Sequence, residues 1–401
     1  MQSAPFGADF DVVVAGAGLA GLAAALGLAQ AGFMTALCGP PDPLGKGRSV
    51  ALHDGSVRLL AKRGVWGAVE AAASPLRKLR LVDDVGALFA APRLEFRSQE
   101  IGLDAFGWNV ENAELAEILG RAAGCAANLT WIASPVAAYS FSPQSCRMTL
   151  ADGNVLAARL AVGADGRGSL ARQSAGIGVR ARPYAQVALT AILAHARPHD
   201  DASTEFHTRQ GPFTFVPLAA RPGAPMRSSL VWAMSPAESK RRAALGDAAL
   251  AGEIERQSRS MLGALRILGE RGVFPVSWQA AASMTGERLA LVGDAAHGLP
   301  PIGAQGLNLG LRDGEGLIEA LVEARFGGQD IGGAKALARY GALRRFDVAS
   351  RAAIVDALNR SLIAGWAPLD FGRSVGLAAL GAIGPLRRFA MRQGVAPRRA
   401  G

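Results

Sequence analysis

The sequence predicts an α/β protein of more than one domain, followed by a helical C-terminal region. Near the N-terminus an apolar strand runs into a glycine-rich turn and an alanine-rich helix, and two later apolar strands end in Asp-Gly or Gly-Asp turns. The chain has 401 residues, of which 50% are hydrophobic and 19% are charged. It can therefore bury a large core, and it is not expected to be disordered.

The first element is a buried strand that leads into a phosphate-binding turn. Residues 11–15, Asp-Val-Val-Val-Ala, are typical of a buried parallel strand, and a helix is predicted from Leu19 to about Gln30. Between them, residues 16–21 form a GxGxxG motif. A strand, this motif and a helix in that order are the fingerprint of a Rossmann-like dinucleotide-binding domain.

Each glycine of the motif has its own predicted role. Gly16 permits the tight turn, Gly18 lets a pyrophosphate approach the backbone, and Gly21 lets helix and strand pack closely. The phosphates would then lie on amides at the helix N-terminus. After the second strand, Gly39 stands where an acidic residue normally holds the adenosine ribose, and Asp42 is the nearest substitute. The fingerprint alone therefore leaves NAD, NADP and FAD open as ligands.

Two later strands end in polar turns at the edge where open α/β sheets contact their ligands. The first strand ends at Asp165-Gly166 and the second at Gly293-Asp294. A loop rich in proline and glycine follows the second turn, and a helix is predicted to begin near Ala304. The N-terminal amides of that helix would stabilise negative charge on a bound ligand.

Together these motifs resemble the class A flavoprotein aromatic hydroxylases, the para-hydroxybenzoate hydroxylase-like group, and within it most closely the ubiquinone-biosynthesis hydroxylases. The resemblance extends over nearly the whole chain and includes residues 47–52, 110–112 and 211–218, with residues 293–308 the most specific run. It implies FAD as the tightly bound cofactor. It also implies NADPH or NADH as a transient reductant and O2 as the oxidant.

The resemblance assigns expected roles to individual residues. Asp294 matches the family's ligand of the ribityl chain, the Asp165-Gly166 pair is expected to support FAD, and Arg48 matches a basic residue near the pyrophosphate. Oxygen activation would take place at flavin C4a, so no protein nucleophile is expected and His297 is interpreted as structural. Candidate residues at the flavin face are Pro301, Gly303 and Phe215. The residues expected to bind the cofactor are Gly16, Gly18, Leu19, Ala20, Gly21, Arg48, Asp165, Gly166, Gly293, Asp294, Gly303, Gly306, Leu307 and Asn308.

The resemblance also implies a domain organisation and a function. A Rossmann-like FAD-binding domain is expected over residues 1–75, 100–180 and 271–340, a mixed-sheet substrate domain over 76–99 and 181–270, and a helical region over 341–401. The expected activity is NAD(P)H-dependent ring hydroxylation of a polyprenylated phenol or quinol, a lipid-like aromatic substrate, in ubiquinone biosynthesis. A hydroxylase of a small soluble aromatic and a non-catalytic flavoprotein scaffold of a biosynthetic complex stay open as alternatives.

Charge is concentrated at the C-terminus. Residues 335–401 carry twelve basic and three acidic side chains, out of a net charge of +10 for the chain. Nucleic acid is not an expected partner, because this region lacks interleaved aromatic residues. Apolar runs at 362–366 and 375–383 beside Arg387, Arg388 and Arg392 favour peripheral contact with a membrane. A helix packed on the FAD domain or across a homodimer is the alternative, and other ubiquinone-biosynthesis proteins are further candidate partners.

Neither a disulfide framework nor a metal site is predicted. The three cysteines form no paired motif, which favours a reducing, cytoplasmic location. Within the cytoplasm, a peripheral position on the inner face of the membrane is also expected. His195 and His199 have a spacing that suits a metal ion on a helix, but Pro198 between them would interrupt the helix.

Overall fold

The computed structural model describes residues 9–41, 47–84, 94–300, 304–363 and 384–395 of the chain. The strands of these segments, numbered in chain order, are β1 Phe10–Ala15, β2 Thr35–Cys38, β3 Ser49–His53, β4 Ser74–Pro75, β5 Lys78–Asp83, β6 Leu94–Arg97, β7 Gly107–Glu111, β8 Leu129–Ile132, β9 Val136–Phe141, β10 Cys146–Leu150, β11 Val155–Gly163, β12 Val179–His195, β13 Ala202–Thr208, β14 Gly211–Leu218, β15 Arg227–Met234, β16 Leu265–Ala281, β17 Thr285–Gly286, β18 Leu289–Leu291 and β19 His297–Gly298. The α-helices are α1 Leu19–Gln30, α2 Asp54–Lys62, α3 Trp66–Ala72, α4 Asn112–Gly124, α5 Leu170–Ser174, α6 Pro236–Ala243, α7 Asp247–Gln257, α8 Gln305–Phe326, α9 Ala334–Ile363 and α10 Gly384–Val395. Short 3-10 helices lie at Ser98–Ile101 and Gly293–Ala295.

The first sheet is the Rossmann-like sheet that the sequence predicted. Its strands follow the order β17-β18-β11-β1-β2-β8, with β10 beside β11 and β9 beside β10. The strands from β18 to β8 run parallel, and Val14 of β1 lies opposite Leu37 of β2 and Val162 of β11. Residues 12–15 are buried, as expected of a strand that is covered on both faces. β1 and α1 are the strand and helix predicted on either side of the GxGxxG motif.

The second sheet is mixed, as predicted, with the order β19-β16-β12-β15-β14-β13-β5-β6. Its neighbouring strands are antiparallel except β13 and β5, which run parallel. β12 and β16 pair from Val179 opposite Ala281 to His195 opposite Leu265. The domain boundary predicted after residue 270 therefore falls inside β16, because the long pairing with β12 carries that strand on to Ala281.

Helix α8 packs between α1 and α9. Its approach to α1 is close because small residues face each other. A Cβ atom on Gly310 would lie 3.2 Å from Cβ of Ala20, and one on Gly314 would lie 3.3 Å from Cβ of Ala24. Helix α8 also contacts α2 and β3, and β3 pairs with β7 and β7 with β4 in a small antiparallel sheet. Helix α8 therefore connects the Rossmann-like sheet to the small sheet and to the C-terminal region.

The C-terminal region is helical, as predicted, and its described helices are α9 and α10. Helix α9 begins at Ala334, so the boundary predicted after residue 340 falls inside it. Helix α10 lies against the edge of the second sheet, where Met391 packs with Leu94 and Phe96. Within the described segments, no helix combines the length and the apolar content needed to cross a membrane.

Candidate functional site

The turn after β1 forms an open cradle at the N-terminus of α1. Gly16 has a φ of +109°, and a Cβ atom there would overlap the carbonyl group of Ala164. A Cβ atom on Gly21 would overlap the carbonyl oxygen of Gly16, whereas one on Gly18 would meet nothing within 4 Å. Gly18 is the N-cap of α1 and provides no side-chain cap, so the first amides of the helix keep their hydrogen-bonding capacity. Leu19 and the rest of this first turn can therefore receive a phosphate through the backbone.

The structure brings the three predicted motifs to one edge of the first sheet. The Ala164 amide donates to the oxygen of Ala15 at 2.8 Å, and the Val292 amide donates to the oxygen of Gly163 at 2.9 Å. The ends of β1, β11 and β18 thus lie side by side, at the edge where parallel sheets bind ligands. The side chain of Asp294 is 46% exposed at this edge. Its predicted contact with a ribityl chain stays a prediction.

Asp165 directs one carboxylate oxygen into its own loop and leaves the other unpaired. Its Oδ2 accepts a hydrogen bond from the Ala171 amide at 3.0 Å. Its Oδ1 is buried and has no hydrogen-bond partner among the described residues. A buried polar atom without a partner is costly and is a marker of a group that awaits a ligand or water. Gly166, beside it, has a φ of +78°.

Arg167 is a site residue that sequence reasoning missed. Its Nε donates to Oδ2 of Asp294 at 3.3 Å, and its Nη2 donates to the carbonyl oxygen of Leu299 at 2.9 Å. Nη1 donates to the carbonyl oxygen of Ser277 on β16 at 3.2 Å. One guanidinium group therefore fixes the Asp294 turn, the following loop and the second sheet relative to one another. Its position directly after Asp165-Gly166 is the sequence feature that could have identified it as a site residue.

The side chain of Asn308, a residue expected to bind the cofactor, is a structural clamp. It is fully buried, and its Oδ1 accepts hydrogen bonds from the His53 amide at 2.9 Å and the Ser56 hydroxyl at 2.6 Å. Its Nδ2 donates to the carbonyl oxygens of Ala51 at 2.8 Å and Ala304 at 2.6 Å. An amide side chain has two acceptor and two donor positions, so none remains for a ligand. The reason is that β3 and α2 pack against the first turn of α8.

Phe215, expected at the flavin face, is a core residue of the second sheet. Its side chain is 1% exposed and lies in the cluster that includes Trp232 and Ile254 of α7. Alternation along β14 turns its neighbours Thr214 and Val216 to the opposite face. Sequence alternation identified residues that share a face but not which face meets the other domain. The other flavin-face candidates, Pro301 and Gly303, lie outside the described residues, as does Asp42.

Of the remaining residues predicted to bind the cofactor, some are accessible to a ligand and others pack in the protein core. Arg48 is exposed, and its guanidinium lies 4.5 Å from the ring centroid of Phe274 on β16, so its predicted place near a pyrophosphate stays a prediction. A Cβ atom on Gly306 would meet nothing within 4 Å, which leaves the backbone there open to approach. Leu307 packs against the core of the first domain, and Ala20 packs against α8.

A buried ionic cluster lies behind the Gly293 turn, and the sequence did not reveal it. Asp313 and His297 are fully buried, and Oδ2 of Asp313 bonds to Nε2 of His297 at 2.6 Å and to the Gly293 amide at 3.0 Å. Oδ1 accepts a hydrogen bond from Nε of Arg344 at 2.8 Å. Burial by itself raises the pKa of Asp313, but the charges of His297 and Arg344 outweigh it and hold that pKa at about 2. His297 is thus an ion-pair partner within the fold. The sequence feature that could have indicated this cluster is an isolated aspartate on a buried face of a helix.

Comparison with known proteins identifies the family. Residues 9–106 and 144–352 match the family described as FAD binding domain. The chain belongs to the FAD-dependent aromatic hydroxylases. It is 37% identical over 389 residues to a protein named ubiquinone hydroxylase UbiL from Rhodospirillum rubrum, across 95% of this chain and 88% of that protein. It is 33% identical over 391 residues to the 3-demethoxyubiquinol 3-hydroxylase of Escherichia coli K12, across 95% of this chain and 97% of that protein.

Solved structures of the same fold support the architecture of this hydroxylase. The p-nitrophenol 4-monooxygenase PnpA of Pseudomonas putida DLL-E4 superposes with a TM-score of 0.78 at 19% identity, over 97% of this chain and 99% of that one. PqsL of Pseudomonas aeruginosa, in complex with 2-aminobenzoylacetate, superposes with a TM-score of 0.77 at 23% identity, over 92% of this chain and 99% of that one. At these identities the likeness supports the fold alone.

The residues at the strand edge fit FAD in their chemistry. The open approach at Gly18 leads to backbone amides, which suit a pyrophosphate. The exposed carboxylate of Asp294 and the unpaired oxygen of Asp165 suit donors such as the hydroxyl groups of a ribityl chain or a ribose. Arg167 holds the Asp294 carboxylate in place. The sheet edge therefore carries a phosphate cradle and carboxylate acceptors in one site.

Proposed function

We propose that this hydroxylase uses NADH or NADPH and O2 to hydroxylate the aromatic ring of a polyprenylated phenol or quinol in ubiquinone biosynthesis. The observation that carries the proposal is the 37% identity, over nearly the whole chain, to a protein named ubiquinone hydroxylase. One atom of O2 would enter a ring C–H bond to form the new hydroxyl group. The other would leave as water, with two electrons supplied by the nicotinamide.

In this proposal the cofactor supplies oxygen activation, and the protein binds the cofactor, orients the reacting groups and shields them from water. Amides at the N-terminus of α1 would hold the phosphates, and Asp294 would accept hydrogen bonds from the polyol chain. Arg167 would keep Asp294 oriented toward the cofactor and keep the loop at Leu299 in register with the second sheet. A site fixed in this way limits the freedom of the reacting groups and the access of water.

The face of the second sheet opposite Phe215 supports an apolar substrate. Ser229 on this face forms a 2.6 Å hydrogen bond with the hydroxyl of Ser49, so the face meets the segment that contains β3. Cross-strand pairing places further side chains, including four at the centre, on the same face of strands β12, β14 and β15. The four are Thr190, Thr214, Val216 and Val231. Uncharged side chains at these positions suit a neutral ring with a hydrocarbon tail better than a carboxylated benzoate.

Substrate-dependent oxidation of NADH and NADPH tests this proposal. With FAD-loaded protein, a demethoxyubiquinol that carries a short prenyl chain should accelerate nicotinamide oxidation and gain one oxygen atom, whereas para-hydroxybenzoate should do neither. Acceleration by para-hydroxybenzoate alone would favour the hydroxylase of a small soluble aromatic. Absence of turnover with every aromatic, at full FAD content, would favour the scaffold.

We also propose that α10 contacts an anionic membrane surface that holds the lipid-like substrate. The inner face of α10 is occupied, because Arg387 bonds to Glu100 at 2.6 Å and 2.8 Å and lies 4.5 Å from the ring centroid of Phe96. Arg388 and Arg392, one turn apart on the helix, are exposed. They are joined by Phe389, which is 62% exposed. Arginines beside an exposed aromatic ring suit the interface of an anionic bilayer.

Vesicle co-sedimentation tests the α10 contact. Each basic residue near an anionic surface contributes about 1 kcal/mol, so Arg388→Gln/Arg392→Gln should weaken binding to phosphatidylglycerol vesicles by about tenfold or more. Arg147→Gln/Arg256→Gln removes two exposed arginines from elsewhere and should leave binding unchanged. Equal binding by both double variants, or binding that ignores lipid charge and salt, would favour a helix that only packs on protein.

A further inference from the structure

One largely buried side-chain network contacts both the Gly293 turn and Gln305, the first residue of α8. At the turn, the Gly293 amide donates to Oδ2 of Asp313 at 3.0 Å. At the start of α8, Oε1 of Gln305 accepts a hydrogen bond from Nη1 of Arg351 at 2.9 Å. The Gly293 turn includes Asp294. The turn and the start of α8 are therefore each held by a side chain from another part of the sequence.

These two contacts belong to a continuous chain of hydrogen bonds along α9. Arg344 Nε donates to Oδ1 of Asp313 at 2.8 Å, and its Nη1 donates to Oδ2 of Asp347 at 2.8 Å. Nε of Arg351 donates to Oδ1 of Asp347 at 3.0 Å. Arg344 is 4% exposed and Arg351 is 9% exposed, while the carboxylate of Asp347 between them is 26% exposed. It leads without interruption from the Gly293 turn to Gln305, and we call it the Asp313–Arg351 network.

The Asp313–Arg351 network places several charged groups between α8 and α9, where apolar side chains could also pack. Asp347 also accepts a hydrogen bond from Nε of Arg312 at 2.8 Å, so three guanidinium groups share its carboxylate. The terminal nitrogens of Arg312 and Nη2 of Arg344 are buried without partners in the described part of the chain. Buried ion pairs often stabilise a fold no better than apolar side chains of similar volume would, so we attribute to these pairs a role in fixing geometry.

We infer that Arg351 and Asp347 are positioning residues for the flavin. They act through Gln305 on the start of α8, and through Arg344 and Asp313 on the turn that presents Asp294. This inference rests on FAD binding at the strand edge and not on the proposed substrate. Through these residues α9, although outside the cofactor-binding motifs, sets the distance between the Gly293 turn and the start of α8.

Titration of the apoprotein with FAD, followed by flavin fluorescence, tests this inference. Arg351→Met removes the link to Gln305 and should weaken FAD binding by about tenfold, which corresponds to about 1.4 kcal/mol. Arg339→Met is the matched control, because Arg339 also joins α9 to α8, through Glu319 at 3.3 Å and Glu323 at 2.9 Å, but is exposed and outside the network. The control should bind FAD as the wild type does. Equal FAD affinity in the two variants would overturn the inference.

Two further variants separate positioning from stability. Arg351→Lys keeps the charge beside Asp347 but lacks the forked geometry that also reaches Gln305. Its apoprotein should unfold at the wild-type temperature while FAD binding stays weakened. Gln305→Met should weaken FAD binding, and the double variant with Arg351→Met should lose no more than the larger single loss, since both act in one chain. Full FAD affinity in Arg351→Lys, or additive losses in the double variant, would contradict the inference.

Discussion

Asp313→Asn is expected to lower the free energy of unfolding by about 3–5 kcal/mol, because it removes one partner of a buried ion pair and leaves the other uncompensated. The carboxylate is fully buried and bonds to His297, Arg344 and the Gly293 amide. Urea unfolding of the apoprotein measures the effect. Glu323→Gln, on the exposed side of the same helix, removes only a surface pair with Arg339 and should cost about 0–1 kcal/mol. Similar losses in the two variants would contradict the assignment of Asp313 as a structural centre.

The same ion pair gives wild-type stability a defined pH dependence. Burial by itself lowers the pKa of His297, but the charge of Asp313 outweighs it and the net effect raises that pKa above its ordinary value of 6.5. The stabilisation from His297 is therefore complete below about pH 6.5 and is lost as the pH rises through the raised folded-state pKa. The pKa of Asp313 is lowered to about 2, so its contribution is lost only as the pH falls from about 4 to about 2. Asp313→Asn should remove the loss of stability at alkaline pH. If stability of the variant still falls with rising pH as steeply as in the wild type, another group causes that loss.

Gly21→Ala is expected to abolish measurable FAD binding and also to destabilise the apoprotein. The added methyl group would overlap the carbonyl oxygen of Gly16, and the neighbouring Cβ of Ala164 would lie only 3.1 Å away. Overpacking of this kind costs about 1–3 kcal/mol, and here it would also displace the phosphate-binding turn. Thermal unfolding of the apoprotein and FAD titration measure the two effects separately.

Gly18→Ala is expected to weaken FAD binding without the loss of stability expected for Gly21→Ala. A Cβ atom at Gly18 meets nothing in the protein within 4 Å and its φ is −70°, so the apoprotein should keep wild-type stability. FAD binding should still fall, because the methyl group would occupy the open approach to the amides of α1. Unchanged FAD affinity in Gly18→Ala would place the pyrophosphate elsewhere.

The parts of the site that the sequence predicted are those that depend on local patterns. The GxGxxG turn at residues 16–21 and the Gly293-Asp294 turn each follow a short apolar strand, and parallel strands bring such ends to one edge. Asp313 and Arg344 could not be paired from sequence, because they lie 31 residues apart on different helices. The sheet face on which Phe215 lies could not be predicted from the sequence either. Strand alternation is the same whichever face of a sheet meets the neighbouring domain.

Asn308 shows why the side chain of a motif residue need not touch the ligand. Its place in the most specific run suggested a cofactor contact, but packing of β3 and α2 against α8 gives its amide four partners within the protein. The run is therefore specific partly because it builds the fold around the site. Arg167 shows the converse, since its contact with Asp294 depends on the pairing of β11 with β18.

Mass spectrometry of the product formed under isotopically heavy O2 tests the central claim most directly. The FAD-loaded protein, given NADH or NADPH and a prenylated demethoxyubiquinol, should release a product whose new ring hydroxyl carries one heavy oxygen atom. A hydroxylated product whose oxygen comes from water, or the absence of any hydroxylated product at full FAD content, would contradict the proposed monooxygenase.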